Sequence, residues 1–281
     1  MRQEGRAKMG FYPCPPRVVD MVASHIIQPK PEHRIALVDP CCGQGAAIML
    51  LRDRLGAAQT LTYGVDISPD NAAVCRTLPF TKFIQADTLI GIDWPRQQYD
   101  MIWFNPPYDW QEDNKREENQ FFNQLIKHPH RIMKPGALFI GILTRAHMTE
   151  MLQVLLNMLD GVPNAEGNPQ PLPQVFRFPA PEINDFDQVV IVGTVRRRAR
   201  GIVPEKLAEE WAHIIYAEDC PTLDFAPKDE EGNYLREWAT PFYQGKEIPL
   251  EHFSVIHDPE TSMALARQTG WMARDDISGV P

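Results

Sequence analysis

The sequence predicts a doubly wound α/β domain on a mostly parallel sheet with an antiparallel edge. Three features carry that prediction: short apolar runs that stop abruptly at acidic or proline residues, helical periodicity between them, and a glycine-rich turn between the first strand and its helix. With 281 residues, 43% of them hydrophobic, the chain can bury a proper core. No apolar run reaches the length of a membrane span and residues 1–9 are polar, so no membrane contact and a cytoplasmic location are expected. Cys14, Cys41, Cys42, Cys75 and Cys220 form no CxxC pair, and the eight histidines show no HxxxH spacing. Reduced thiols and no metal site follow. The net charge of −9 means that a nucleic-acid partner must be met by a local basic patch or with help from another subunit.

Phe11-Tyr12-Pro13-Cys14-Pro15-Pro16 is extended and proline-stiffened, and leads into a helix marked by Val18, Val19, Val22 and Ile26. On its own it is either an aromatic flap or a leader packed on the surface. Residues 34–39 form a short apolar strand that Pro40 ends. Cys41-Cys42-Gly43-Gln44-Gly45 then turns the chain into a helix over 46–55, closed by Gly56. Gly43 and Gly45 let the backbone pass close to a ligand, while Asp39 at the strand tip is an acceptor and no binder of phosphate. The second strand, 60–65, ends in Asp66, placed to accept from ribose hydroxyls. Ile67 can lie against an adenine face, and Ser68-Pro69 opens the next helix. The third strand, 82–85, leads to Asp87 and Thr88, with Asp87 suited to an adenine amine. Three acidic strand ends in succession match a ligand that offers amines and hydroxyls instead of phosphates, as S-adenosylmethionine does.

The apolar run 99–104 reads as a buried strand, which Pro106 and Pro107 end by removing backbone donors. Asn105-Pro106-Pro107-Tyr108 then holds one amide, backbone carbonyls and one aromatic ring at the carboxyl edge of the sheet. An amide oxygen and a carbonyl can accept both hydrogens of a planar amine, and Tyr108 can stack on its ring. Alkylation of an exocyclic amine is the chemistry suggested; a merely rigid turn is the other reading. Residues 109–119 are charged, a solvated loop or a segment closing over substrate. A helix over 120–132, a turn at Lys134-Pro135-Gly136, a strand over 137–143 and a helix over 149–159 follow. After a loop at 161–173, strands at 174–178 and 186–195 form an antiparallel hairpin. Arg196-Arg197-Arg198 begins the densest positive run, a nucleic-acid contact or a solvated exit. A helix over 204–217 uses Leu207, Trp211, Ile214 and Ile215 as its apolar face, and residues 218–281 show no clear periodicity.

Phe-Tyr-Pro-x-Pro, Asp-Pro-x-Cys-Gly-x-Gly, Val-Asp, Ala-Asp and Asn-Pro-Pro-Tyr together resemble the class I S-adenosylmethionine-dependent methyltransferases. Within them, the order of the motifs is similar to the gamma group of DNA adenine-N6 enzymes. The resemblance spans roughly residues 11–196 and implies a seven-stranded, Rossmann-like sheet. It implies S-adenosylmethionine held by Phe11, Tyr12, Pro13, Cys14, Asp39, Pro40, Cys41, Gly43, Gly45, Asp66, Ile67, Asp87, Thr88 and Asn105. It implies catalysis by Asn105, Pro106, Pro107 and Tyr108. Cys14 departs from the family, which usually has threonine there to help hold the cofactor carboxylate. The family also stacks an aromatic on the flipped base from a loop matching 179–185; Phe178 and Phe186 are the candidates, or else core residues. The domains expected are 1–200 for methyl transfer and 201–281 as an extension. That extension is short for a target-recognition domain; it covers the catalytic domain, mediates assembly or begins a recognition region. DNA is the expected partner, alone or with a partner subunit, and restriction-modification is one setting the resemblance raises. Asn-Pro-Pro-Tyr also occurs in enzymes that methylate RNA or a protein glutamine, and a non-catalytic subunit of a larger assembly is a further reading.

Overall fold

Residues Ile35–Asp39 form β1, buried at every position. Its side chains alternate between two cores, Ala36 and Val38 on one face of the sheet and Ile35 and Leu37 on the other. A strand enclosed on both faces needs a covering layer on each. The computed structural model, which describes residues 13–107, 121, 122, 125, 132–163, 168, 170–182, 187–239, 254 and 255, supplies both. On the Ile35 face lie α1 (Pro16–His25) and α2 (Ala46–Leu55), through Val18, Val22, Ile48 and Leu51. On the Ala36 face lie α4 (Met148–Met158) and α5 (Glu205–Tyr216), together with Phe121, Phe122 and Leu125 of the expected helix at 120–132. The short α3 (Pro69–Cys75) starts with the expected cap, Ser68 Oγ accepting from Asn71 N–H at 3.4 Å.

The remaining strands are β2 (Thr60–Asp66), β3 (Lys82–Gln85), β4 (Ile92–Asp93), β5 (Tyr99–Phe104), β6 (Met133–Thr144), β7 (Leu159–Asp160), β8 (Gln174–Arg177), β9 (Gln188–Val195) and β10 (Ser254–Val255). The main sheet runs β3-β2-β1-β5-β6-β9, and β7 and β8 both pair with the outer edge of β9. The eight strands thus fill seven rows. The pairs from β3 across to β6 are parallel, and β6–β9, β9–β8 and β9–β7 are antiparallel. This is the doubly wound sheet with an antiparallel edge that the sequence predicts. Among the described residues β4 pairs apart from it, with β10.

The turn expected at Lys134-Pro135-Gly136 lies instead inside β6, where it shifts the pairing with β5 between Tyr99 and Met101. Lys134 Nζ reaches the buried Asp100 carboxylate at 2.6 Å, and Asp100 also accepts from Ala36 N–H at 2.9 Å. Gly136 provides the left-handed step at φ 80°. A bulge held by an ion pair replaces the turn.

Residues 201–239 pack into both cores. Trp211 is fully buried on the α4 face and donates from Nε1 to Pro173 O at 2.9 Å. The chain then crosses to the other face. Trp238 stacks on His25 with ring centroids 4.5 Å apart, and its backbone is bonded to both sides of the α1 end, from Trp238 N–H to His25 O and from Ile27 N–H to Trp238 O. Arg236 caps the same helix end by donating to Ala23 O and Ile26 O at 2.8 and 2.9 Å. These contacts join residues 201–239 to both faces of the sheet. No helix among the described residues is long and apolar enough to cross a membrane. Replacing Trp238, 1% exposed, with alanine should lower the unfolding free energy by about 3–5 kcal/mol in urea titrations. A loss under about 1 kcal/mol would show that this strap is not part of the cooperative unit.

Candidate active site

Parallel register brings the acidic strand ends to one edge. Asp39 lies opposite Gly64 and Asp66 opposite Gln85, while Val38 pairs with Ile102 on the other side of β1. Asn105 directly follows β5, so it stands in the row beside Asp39. The link between β1 and β3 is made by Thr88, whose hydroxyl donates to Pro40 O in a short hydrogen bond.

The turn after β1 is held from below by Asp66. Its Oδ2 accepts from Gly43 N–H at 2.8 Å, and its Oδ1 from Ser68 N–H at 2.9 Å and Asn71 Nδ2 at 3.1 Å. Cys42 N–H donates to Val65 O at 2.9 Å, and the Cys75 thiol donates to Gly43 O at 3.2 Å. Gly45 then starts α2 in the left-handed region at φ 78°, where an added Cβ would stand 2.9 Å from Leu78 Cδ1 and 3.1 Å from the Phe80 ring. Gly64, under the turn, leaves room for the same ring: a Cβ there would meet it at 2.5 Å. Glycine is required at Gly45 by conformation and at Gly64 by proximity.

Burial sets the electrostatics of this edge. Asp39, 2% exposed, accepts from Cys41 N–H at 3.0 Å; burial pushes its carboxyl up to about 8, opposed by that hydrogen bond and reinforced by the charge of Asp66. Burial also raises Asp66, against its three hydrogen bonds, and Asp87, against the Leu89 and Ile90 N–H groups on its Oδ1. A nearby cation relieves such strain by favouring the charged forms. Three acceptors at one edge fit S-adenosylmethionine, which presents an amine, ribose hydroxyls, an ammonium and a sulfonium. Asp66 would take a ribose hydroxyl, Asp87 the adenine amine, and the 40–45 turn the amino-acid end.

Asn105 is 8% exposed, Pro106 is buried and Pro107 is half-buried, so the amide is fixed at the strand tip by its surroundings. Cys14 is buried, with its thiol pushed well up by burial, and Pro13 is exposed at the entrance to α1. Cys41 and Ile67 are half-buried at the edge. Tyr108, Phe11, Tyr12 and Phe186 lie outside the described residues, as does the 109–119 segment.

At two places the structure bears on readings that the sequence left open. Phe178 is 1% exposed in the α1-side core, so it has no face to offer a base. Arg196, Arg197 and Arg198 follow the far end of β9, whose antiparallel course carries them to the amino edge, away from Asn105. Arg196 and Arg200 moreover share the Asp160 carboxylate, and Arg200 also bonds to Leu156 O and Pro171 O. Their work is to tie β7 and α4 to the sheet. The sequence reading missed Asn71 and Phe80, which pack around the turn after β1, and Arg145, Arg177 and Asp187 at the carboxyl edge. Asn71, five residues after Asp66 on the opening turn of α3, had a local signal; the others are joined only by the fold.

The sequence pattern of an uncharacterised methyltransferase family (DUF6094) matches residues 2–236. No curated protein matches the chain. Among solved structures, a Listeria monocytogenes protein assigned to the class I S-adenosylmethionine-dependent methyltransferases is similar at 14% identity and a TM-score of 0.48, over 69% of this chain and 63% of that one. A type I restriction-modification methyltransferase subunit from Streptococcus thermophilus is similar at 14% identity and 0.46, over 74% and 53%. TrmN from Thermus thermophilus is similar at 14% and 0.42, over 64% and 48%. The chain thus spans about half to two thirds of the length of these three proteins.

Two outcomes test the edge. A carboxyl raised in the folded state holds its proton more tightly folded than unfolded. Its contribution to stability is full below the unfolded value near about 4 and is lost as the pH rises through the folded value. Asp39 should therefore make the protein less stable from about pH 4 toward about 8, with a limiting slope of about 1.4 kcal/mol per pH unit. Urea unfolding across that range should show a flatter profile for Asp39→Asn; parallel profiles would contradict the assignment. Gly45→Ala should cost about 1–3 kcal/mol and weaken cofactor binding, read by calorimetry with S-adenosylhomocysteine. Unchanged affinity would separate the turn from the cofactor.

Proposed function

The chain belongs to the uncharacterised methyltransferase family DUF6094, and from that premise we propose that it methylates the exocyclic amine of adenine in DNA. S-adenosylmethionine is the cofactor, and it supplies the methyl group on an electrophilic sulfonium. The observation that carries the proposal is Asn105, buried at the tip of β5 in the row next to Asp39 and followed by the buried Pro106.

Asn105 through its side-chain oxygen and Pro106 through its carbonyl accept the two amino hydrogens of the base. That turns the nitrogen lone pair toward the methyl group, and Tyr108 holds the ring by stacking. The protein contributes orientation and electrostatics and needs no covalent nucleophile. In a duplex the adenine must leave the stack to reach this edge. Since Arg196 and Arg200 are engaged on Asp160 and the chain carries −9, a partner subunit supplies part of the grip on DNA. A restriction-modification system is a setting that fits such a subunit.

The test is transfer of labelled methyl to unmethylated genomic DNA, with total RNA in parallel and nucleoside analysis of the product. N6-methyladenine in DNA supports the proposal, whereas label only in RNA or protein moves the substrate and refutes the DNA reading. Asn105→Ala should lose at least about 100-fold in turnover, with S-adenosylhomocysteine affinity held within a few-fold. Normal turnover by that variant would sink the mechanism. Cofactor binding without transfer to any substrate would favour a non-catalytic subunit.

A further inference from the structure

Two arginines that no motif singles out stand at the catalytic edge. Arg145 follows β6 and Arg177 ends β8, and the pairings Thr144 with Gln188 and Arg177 with Val189 put both at the end of the sheet that holds Asn105. They face one carboxylate between them. Arg145 Nε donates to Asp187 Oδ2 at 2.7 Å, and Arg145 N–H donates to Asp187 O at 3.0 Å. Asp187 is held in the left-handed region at φ 44°, so its position depends on this double grip. Arg177 is differently placed. Its Nη2 lies 3.5 Å from Asp187 Oδ1, and its Nε is buried without a hydrogen-bond partner among the described residues.

A guanidinium has five donors in a fixed fork, and leaving a buried one unmade is costly. Asp187 balances one of the two arginines, and Arg17 beside the same loop is balanced by Glu182 at 2.8 Å. Among the described residues one positive charge is then in excess there, with Arg177 Nε an unfilled donor and Asp187 Oδ1 an unfilled acceptor, on an acidic chain. From β5 to β8 there are three rows, roughly 14 Å at the usual spacing between strands.

We propose that Arg177, with Arg145 as its neighbour, binds a backbone phosphate of the nucleic-acid strand that carries the target base. The site rests on the nucleic-acid reading above and extends it. It replaces the Arg196–Arg198 run as the chain's own anion contact, and it sits where a flipped nucleotide's flanking backbone must pass. Arg145 is kept in place by Asp187 and by Tyr216, whose hydroxyl lies 3.2 Å from Arg145 O. Arg177 supplies the donors.

The test measures KM for unmethylated genomic DNA, and the slope of log affinity against log salt, for wild type, Arg177→Gln, Arg177→Lys and Arg197→Gln. Arg177→Gln should raise KM about 10-fold and reduce the slope by about 0.9, the share of one phosphate contact. Arg177→Lys should recover the slope but not the full KM, because the charge returns without the fork. Arg197→Gln, at the far edge, should match wild type. Equal KM and slope for Arg177→Gln and wild type would overturn the proposal. A second readout does not depend on methyl transfer: the Arg177 Nε–Hε resonance, titrated with inorganic phosphate, should shift saturably. No shift would overturn the site. A shift in a protein that methylates no DNA would keep the anion site and refute the DNA reading.

Discussion

The carboxylate of Asp66 ties the carboxyl edge of the sheet together. Three donors from two segments converge on it: Gly43 in the turn after β1, and Ser68 and Asn71 at the cap and in the first turn of α3. Together with the Cys42 N–H bond to Val65 O and the Cys75 thiol on Gly43 O, it holds the turn against the tip of β2. A carboxylate offers about four acceptor positions, so three bonds leave room for one more. One ribose hydroxyl can therefore be accepted without dismantling the turn. The same group that builds the site is able to read the ligand.

The charge of the chain is arranged around that edge. Asp39, Asp66 and Asp87 are all raised by burial, which favours any ligand that brings positive charge among them. A sulfonium and an ammonium do so. Nucleic acid is the opposite case, and an acidic chain must meet it with few, well-placed cations. On the proposed function, Arg145 after β6 and Arg177 at the end of β8 would be such cations, on the side of the sheet edge away from the acidic tips. Cofactor and substrate would then meet at Asn105 from opposite directions along the edge.

Much of this was legible in the sequence wherever the signal was local. The strand, glycine turn and helix over 34–55, the acidic strand ends and the strand broken by Pro106 all follow from adjacent residues, and the fold keeps them. What escaped was set by distance. Lys134-Pro135-Gly136 looks like a turn until Asp100, 34 residues away, draws Lys134 into β6 as a bulge. Phe178 and Arg196–Arg198 sit on or beyond strands whose existence was readable; their side of the sheet and their edge depend on antiparallel pairing across β9. Arg145, Arg177 and Asp187 are brought together by three rows of the sheet. The segment 218–239 shows no period because it forms no regular element, and it holds instead by Trp238, Arg236 and backbone bonds to α1.

The central claim is that one ligand spans the strand tips from β1 to β3 and ends beside Asn105. A crystal structure with S-adenosylhomocysteine at saturating concentration tests it most directly. The account predicts density along that edge, with a ribose hydroxyl on Asp66, the adenine amine within hydrogen-bond reach of Asp87, and the sulfur facing Asn105. Density at another surface, or at this edge with neither carboxylate engaged, would contradict it.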